Sequence, residues 1–185
     1  MRIVAGAARG RTLVAPDGNA TRPTSDRVRE AIFNALFSLD DAVAGARVLD
    51  LYAGTGALGL EAISRGAAHV TFVDRDPRAL AALERNVQGT GTPAAAVTVV
   101  RAEAAGWLVA RASADAPPFD LALVDPPYAF DAWSDLLTSL SARVAVFESA
   151  RPLGELLAAS GRWEVIRDRR YGGTVVTMAR HLLPD

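Results

Sequence analysis

Hydrophobic and polar positions along this chain follow two alternating periods. From residue 46 onward, short apolar runs rich in Val, Leu and Ala are each followed by a stretch with apolar residues three or four apart. "ARVLDLY" predicts a strand, and "GALGLEAISRG" predicts a helix closed by Gly66. The pattern repeats in "HVTFVD" with "PRALAALERNVQG", and in "AVTVVR" with "AEAAGWLVARAS". It repeats again in "FDLALVD" with "AFDAWSDLLTSL", and in "RVAVFES" with "PLGELLAAS". The final stretch, "WEVIRDRRYGGTVVTMARHL", predicts two strands turning at Gly172 and Gly173. Val-rich runs without polar alternation require burial of both strand faces. One open α/β sheet with a C-terminal antiparallel hairpin satisfies that requirement.

The first 45 residues are patterned differently. "MRIVAGAARGRTLVAP" alternates and carries Gly6 and Gly10, which predicts a small N-terminal β-hairpin extension outside the main core, over residues 1–20. "DGNATRP" predicts a loop. "TSDRVREAIFNALFSL" predicts a leading helix over 25–39, with Thr24 or Ser25 as cap and Asp26 in its first turn. Val28, Ile32, Leu36 and Leu39 give that helix an apolar stripe. Residues 21–185 are expected to form one domain that includes it.

Composition narrows the functional classes. The chain has 185 residues, half of them hydrophobic, which suits a single sizeable core. No apolar run reaches the roughly 18 residues of a membrane span, and the start lacks the apolar segment of a secretory signal. A cytoplasmic location is the expectation. The absence of cysteine excludes disulfides, thiol nucleophiles and thiolate-held zinc or iron–sulfur centres. With two histidines far apart in sequence, no metal site is expected. The net charge of −1 argues against a uniformly basic surface. Because lysine is absent, any phosphate contact falls to arginine, whose planar fork suits phosphate oxygens.

In open α/β sheets the ligand crevice lies at the carboxyl ends of the strands. The first predicted strand runs through Tyr52 and Ala53 into Gly54, Gly56 and Gly59, which satisfy the G-x-G-x-x-G spelling. That spelling alone first suggests a dinucleotide. Asp50, four residues before Gly54, argues otherwise, since a pyrophosphate over this loop would meet a negative charge. An acid there suits a ligand with an ammonium group and no phosphate, such as S-adenosylmethionine. A NAD-dependent oxidoreductase is the remote alternative. Asp74, at the tip of the second strand, is placed to accept hydrogen bonds from both ribose hydroxyls. Asp76 reads as a cap for the helix opened by Pro77. Glu103 could accept from an adenine amino group or act as a first-turn helix acid, and Trp107 reads as packing.

The fourth strand ends in Asp125, Pro126, Pro127 and Tyr128. An amine on an aromatic ring is a poor nucleophile because its lone pair is delocalised. Asp125, with the carbonyl of Pro126, could accept N–H groups from such an amine and favour its loss of planarity. The prolines stiffen the backbone and lower the entropy of ordering. Tyr128 could stack on an extruded base. Methylation at carbon 5 of a pyrimidine needs a cysteine nucleophile, so the surviving acceptor is an amine nitrogen. "DPPY" serves guanine-N2, adenine-N6 and cytosine-N4 alike.

Taken together, "RIVAGAARGRTL", "RPTSDRVREAIFNAL", "VLDLYAGTGALGLEAISRGA", "VDRD", "VDPPY" and "RYGGTVV" resemble the RsmD family of bacterial 16S rRNA guanine-N2 methyltransferases. The resemblance covers essentially the whole chain. It implies a class I S-adenosylmethionine-dependent methyltransferase fold (Rossmann-like) and methyl transfer to the exocyclic N2 of guanine 966 (bacterial reference numbering). It further implies a partly assembled small subunit carrying ribosomal proteins as partner, a monomeric enzyme and no metal. The segment containing Thr24 would approach the methionine end of the cofactor. Family members often carry Asn or Asp where this chain has Glu103. A DNA adenine-N6 or cytosine-N4 methyltransferase is the alternative, but the chain lacks length for a separate DNA-specificity domain. Arg9, Arg11, Arg22, Arg27 and Arg29 are the expected RNA phosphate contacts.

Overall fold

A computed structural model describes residues 1–16, 25–39, 42–114 and 116–182. Five β-α units follow a leading helix, α1 (Asp26–Phe37). They are β1 (Arg47–Leu51), α2 (Ala57–Ser64), β2 (His69–Asp74), α3 (Pro77–Thr90), β3 (Val97–Arg101), α4 (Ala104–Ser113), β4 (Phe119–Val124), α5 (Trp133–Ser139), β5 (Ala142–Ser149) and α6 (Gly154–Ala159). The hairpin β6 (Trp163–Tyr171) and β7 (Thr174–His181) completes a seven-stranded sheet of order β3-β2-β1-β4-β5-β7-β6. β1 to β5 are parallel, whereas β7 runs antiparallel to both β5 and β6. β1 lies between β2 and β4, so the connection order reverses there and opens a crevice at the strand ends.

The two faces of the sheet bury different side chains. One face packs Val48, Phe72, Leu121 and Val146 against Ile32, Phe33, Leu36, Leu60 and Leu83. The other packs Leu49, Leu51, Val124 and Phe147 against Trp133, Leu137, Leu157 and Trp163. Burying one such side chain contributes roughly 1.5–3 kcal/mol. Asp50 alternates with Leu49 and Leu51, which sends it to the first face. β3 departs from the expectation of two-sided burial, since it is an edge strand and Val99 is exposed.

The N-terminal segment is a minimal hairpin. Arg2 and Thr12 bridge, Ile3 N–H donates to Arg11 O (3.0 Å), and Gly10 N–H donates to Ile3 O (2.9 Å). It does not lie outside the core as expected, because Ile3 and Leu13 are buried in the cluster that holds α1. Glu61 on α2 fastens it: Oε2 accepts from Val4 N–H (2.7 Å) and Oε1 from Ala5 N–H (3.0 Å). Gly6, at φ +81°, lies so close to Ser64 that an added Cβ would stand 1.8 Å from the Ser64 carbonyl oxygen.

Arg29 also belongs to this fastening, which corrects its assignment as a phosphate contact. Its side chain is fully buried, bonds Asp26 Oδ1 (2.8 Å) and the Arg2 carbonyl, and lies 3.6 Å from Glu61. A buried guanidinium requires a carboxylate and hydrogen bonds around it, and those partners leave its fork turned inward. Arg29, Ile32, Phe33 and Leu36 follow the i, i+3, i+4, i+7 spacing, so the arginine stands within the inward stripe. Ser25 is the N-cap, accepting from Val28 N–H. Thr24 and Arg22 lie outside the described residues.

Candidate active site

The glycine loop is set by two carboxylates bonded to backbone amides. Buried Asp50 accepts from Gly59 N–H (2.8 Å), tying the end of β1 to the first turn of α2. Asp74 Oδ2 accepts from Gly54 N–H (2.8 Å), and its Oδ1 accepts from Asp76 N–H (2.8 Å). A carboxylate has about four acceptor positions, so Asp74 retains capacity for ribose hydroxyls. Asp76 caps α3 through Arg78 N–H, as its sequence position predicted.

Gly56 and Gly59 serve packing. A Cβ on Gly56 would stand 2.1 Å from Leu83 Cδ1, and one on Gly59 would stand 2.3 Å from Phe72 Cε1. Gly56 also takes a left-handed conformation at the start of α2 (φ +77°). Ala53 is nearly buried and donates its N–H to Val73 O (3.1 Å), while Tyr52 alone among described non-glycine residues has a positive φ, +63°. Such a backbone costs about 1–3 kcal/mol and needs its surroundings to hold it. The ring of Phe130, edge-on at 5.6 Å, supplies part of that hold. Burial, reinforced by the charge of Glu103 and opposed by Arg75, pushes the Tyr52 hydroxyl up to about 12.

Glu103 is the N-cap of α4, with Oε2 accepting from Gly106 N–H (3.0 Å). That is the helix-acid role the sequence left open, and it leaves Oε1 outside the capping bond. Trp107 packs beside Phe119, and Arg111 lies over both rings.

Burial is the first cause that holds the Asp50 carboxyl well above the usual carboxylate range. The Gly59 hydrogen bond opposes it, while the charges of Asp125 and Asp74 raise it further. Three strand ends thus aim negative charge at one place. A ligand carrying an ammonium and a sulfonium relieves that repulsion, and a pyrophosphate would worsen it. The residues present therefore fit S-adenosylmethionine: its positive charge would offset the acids around Asp50, and Asp74 has acceptor capacity left for ribose hydroxyls.

A cleft of about 210 Å³ opens at the carboxyl ends of β4 and β5. Asp125, Pro126, Pro127 and Tyr128 form one wall, Ser25 and Val28 of α1 another, and Glu148 with the Tyr171–Thr174 turn a third. Asp125 N–H approaches Leu51 O (3.4 Å), which joins the two halves of the crevice. Half-exposed Tyr128 presents its ring to the cleft mouth, its hydroxyl 2.7 Å from Thr174 Oγ1. Sequence reasoning missed Glu148, Arg151 and this turn. The signal available was the polar "ES" that ends the apolar run of β5.

The predicted RNA contacts are more scattered. Arg27 is exposed in the first turn of α1, whose neighbours Ser25 and Val28 line the cleft. Arg9 and Arg11 are exposed, but their hairpin docks at Ser64, the last residue of α2. That end lies roughly 12 Å along the helix from the glycine loop. Among the described residues, no group of three or more His, Cys, Asp or Glu could hold a metal ion.

This sheet order, the β1–β4 crevice and the carboxylates around the glycine loop define a class I methyltransferase, whose methyl donor is S-adenosylmethionine. The chain belongs to the family described as Conserved hypothetical protein 95, the RsmD family, which it matches over residues 1–180. It is 41% identical over 138 residues to "Putative rRNA methyltransferase YlbH" of Bacillus subtilis, covering 75% of this chain and 72% of that protein. It is 39% identical over 128 residues to "Ribosomal RNA small subunit methyltransferase D" of Escherichia coli strain K12, covering 69% of this chain and 60% of that protein. A solved structure, "Putative methyltransferase yhhF from Escherichia coli", superposes with a TM-score of 0.82 at 31% identity, covering 98% of this chain and 97% of that one.

Proposed function

We propose that this enzyme transfers a methyl group from S-adenosylmethionine to the exocyclic N2 of a guanine, guanine 966, in 16S rRNA. The observation that carries the reading is the placement of Asp125 and Tyr128 at the mouth of the cleft, one strand from the glycine loop. S-adenosylmethionine supplies an electrophilic methyl group on a sulfonium sulfur. Asp125 accepts an N–H of the incoming amine and turns the nitrogen lone pair towards that methyl. Tyr128 stacks on the base, and its bond to Thr174 fixes the plane of its ring. The new C–N bond forms as the methyl–sulfur bond breaks. The nitrogen, then cationic, releases a proton to Asp125 or to water, so no covalent enzyme intermediate is required.

The substrate proposal draws on the names of the relatives and on the arginines near the cleft. Arg151 lines it, Arg27 and Arg170 adjoin lining residues, all three are exposed, and Arg9 and Arg11 would extend contact along the α2 side. The net charge of −1 favours recognition of a shaped, partly assembled subunit in the cytoplasm over any arbitrary RNA. No helix among the described residues is long and apolar enough to cross a membrane. The test is mass-spectrometric nucleoside mapping of 16S rRNA from a deletion strain and its complement. The expected result is loss of one N2-methylguanosine, restored by the gene. An unchanged 16S pattern with missing N6-methyladenine in DNA would overturn the proposal.

A further inference from the structure

We infer that Glu148 reads the N1–H of the target guanine and is the residue that separates guanine from adenine and cytosine. The inference rests on the proposed guanine-N2 activity and adds the source of its base selectivity. Glu148 is 4% exposed and lines the same cleft as Asp125. Val124 pairs with Phe147 across the parallel strands β4 and β5, so Asp125 and Glu148 are the next positions on neighbouring strand ends. Both alternate with side chains of the Trp133 face and point to the α1 side, where Val28 closes the cleft. Adjacent strands lie about 4.8 Å apart, a spacing that lets two carboxylates converge on neighbouring atoms of one base.

Base chemistry gives this pair its meaning. Guanine presents two kinds of donor side by side, the N2 amine and N1–H. Adenine and cytosine place an acceptor, N1 or N3, next to their amine. One carboxylate beside an amine suits all three bases. A second carboxylate directed at the next atom satisfies guanine and meets a lone pair in the other two, leaving buried acceptors opposed. Ionised carboxylates accept hydrogen bonds and donate none. Their capacity for about four bonds each lets Glu148 keep contacts within the protein while accepting from the base. Tyr128 would supply the stacking plane that holds the Watson–Crick edge towards both acids.

The experiment uses small-subunit particles rebuilt with either guanine or 2-aminopurine at the target position. 2-Aminopurine keeps the N2 amine and presents N1 as an acceptor. Methyl transfer is measured for the wild-type enzyme, Glu148→Gln and Glu148→Asp, with cofactor calorimetry and thermal melting of each. The wild type should favour guanine by at least about tenfold in kcat/KM, the scale of a rejected buried polar group. Glu148→Gln should lower kcat/KM for guanine by roughly ten- to a hundredfold. It should also narrow the guanine preference to within about threefold, because its amide N–H can donate to an acceptor N1. Cofactor affinity should stay within about twofold, since Glu148 lies outside the glycine loop. Glu148→Asp, which keeps an acceptor-only group, should retain the preference even if its rate falls, and it keeps the test open should the glutamine variant misfold. Equal use of both bases by the wild type, or an unchanged preference in Glu148→Gln, would overturn the inference. Failure of the wild type to methylate guanine in any particle would instead overturn the proposed function.

Discussion

The two halves of the crevice hold their acids in different ways. In the β1–β2 half, Asp50 and Asp74 are bonded to amides of the glycine loop, so the cofactor side is fixed by backbone close in sequence. In the β4–β5 half, Asp125 and Glu148 meet the Tyr171–Thr174 turn, and Tyr128 is anchored on Thr174, 46 residues away. The first half is one β-α-β stretch, in which Asp50 bonds an amide nine positions on and Asp74 one twenty positions back. The second depends on a hairpin that crosses to it only once the sheet is complete. On the proposed function, cofactor binding and base selection would fall to parts of the chain that can vary separately.

The strongest break of this division is Asp125→Ala. We expect the single-turnover methylation rate to fall roughly 10²–10³-fold, as for other contacts made chiefly in the transition state. Calorimetry should show S-adenosylmethionine affinity within about twofold of wild type. Equal losses in both would merge the two halves.

Asp74→Ala makes the converse change. It removes the proposed ribose acceptor and strands the amides of Gly54 and Asp76, so cofactor affinity should drop by about 1–3 kcal/mol. At saturating cofactor, transfer should recover most of its rate. A rate that stays low at saturation would show that the loop also positions the acceptor.

Asp50 sharpens the comparison through pH. At low pH both folded and unfolded chains carry its proton. As pH rises through the ordinary carboxylate value of 3.8, the unfolded chain ionises while buried Asp50 keeps its proton. Asp50 therefore lowers stability as pH rises, until its raised folded value is passed. Asp50→Asn should raise the melting temperature of the cofactor-free protein at neutral pH and weaken cofactor binding. Calorimetry in two buffers of different ionisation enthalpy should detect proton release on binding by the wild type near that raised value, and none by the variant.

Tyr128→Phe is the smallest change. It keeps the ring and removes the bond to Thr174, so we expect a loss of about 0.5–1.5 kcal/mol in kcat/KM for the particle and none in cofactor affinity. Tyr128→Ala should cost more, because base stacking goes with the ring.

The cofactor half and the β-α order were legible in the sequence because period, capping and loop chemistry are local. Asp76 capping α3 and Gly66 following α2 are examples. Arg29 was misread because arginine is ordinarily a surface residue, although its spacing to Ile32, Phe33 and Leu36 placed it inward. Its partner Glu61 stands 32 positions further on, and no periodicity links the two. Glu148 was missed for a related reason: a lone acid at the end of a strand gains chemical meaning only when β4 sets Asp125 beside it. β3 looks like a buried strand in composition, yet lies at an edge, which pattern alone cannot distinguish.

The clasp of the N-terminal hairpin also orders events during synthesis. Val4 and Ala5 leave the ribosome well before Glu61, and Val14 before Asn86, whose Oδ1 accepts its N–H across 72 positions. Closing such separations costs chain entropy that only later residues can offset. The growing chain must therefore carry its first fourteen residues undocked until α2 and then α3 have emerged. The contacts that seat Ile3 and Leu13 thus wait on residues made some fifty to seventy positions later, and a nascent chain shorter than that leaves those two side chains uncovered.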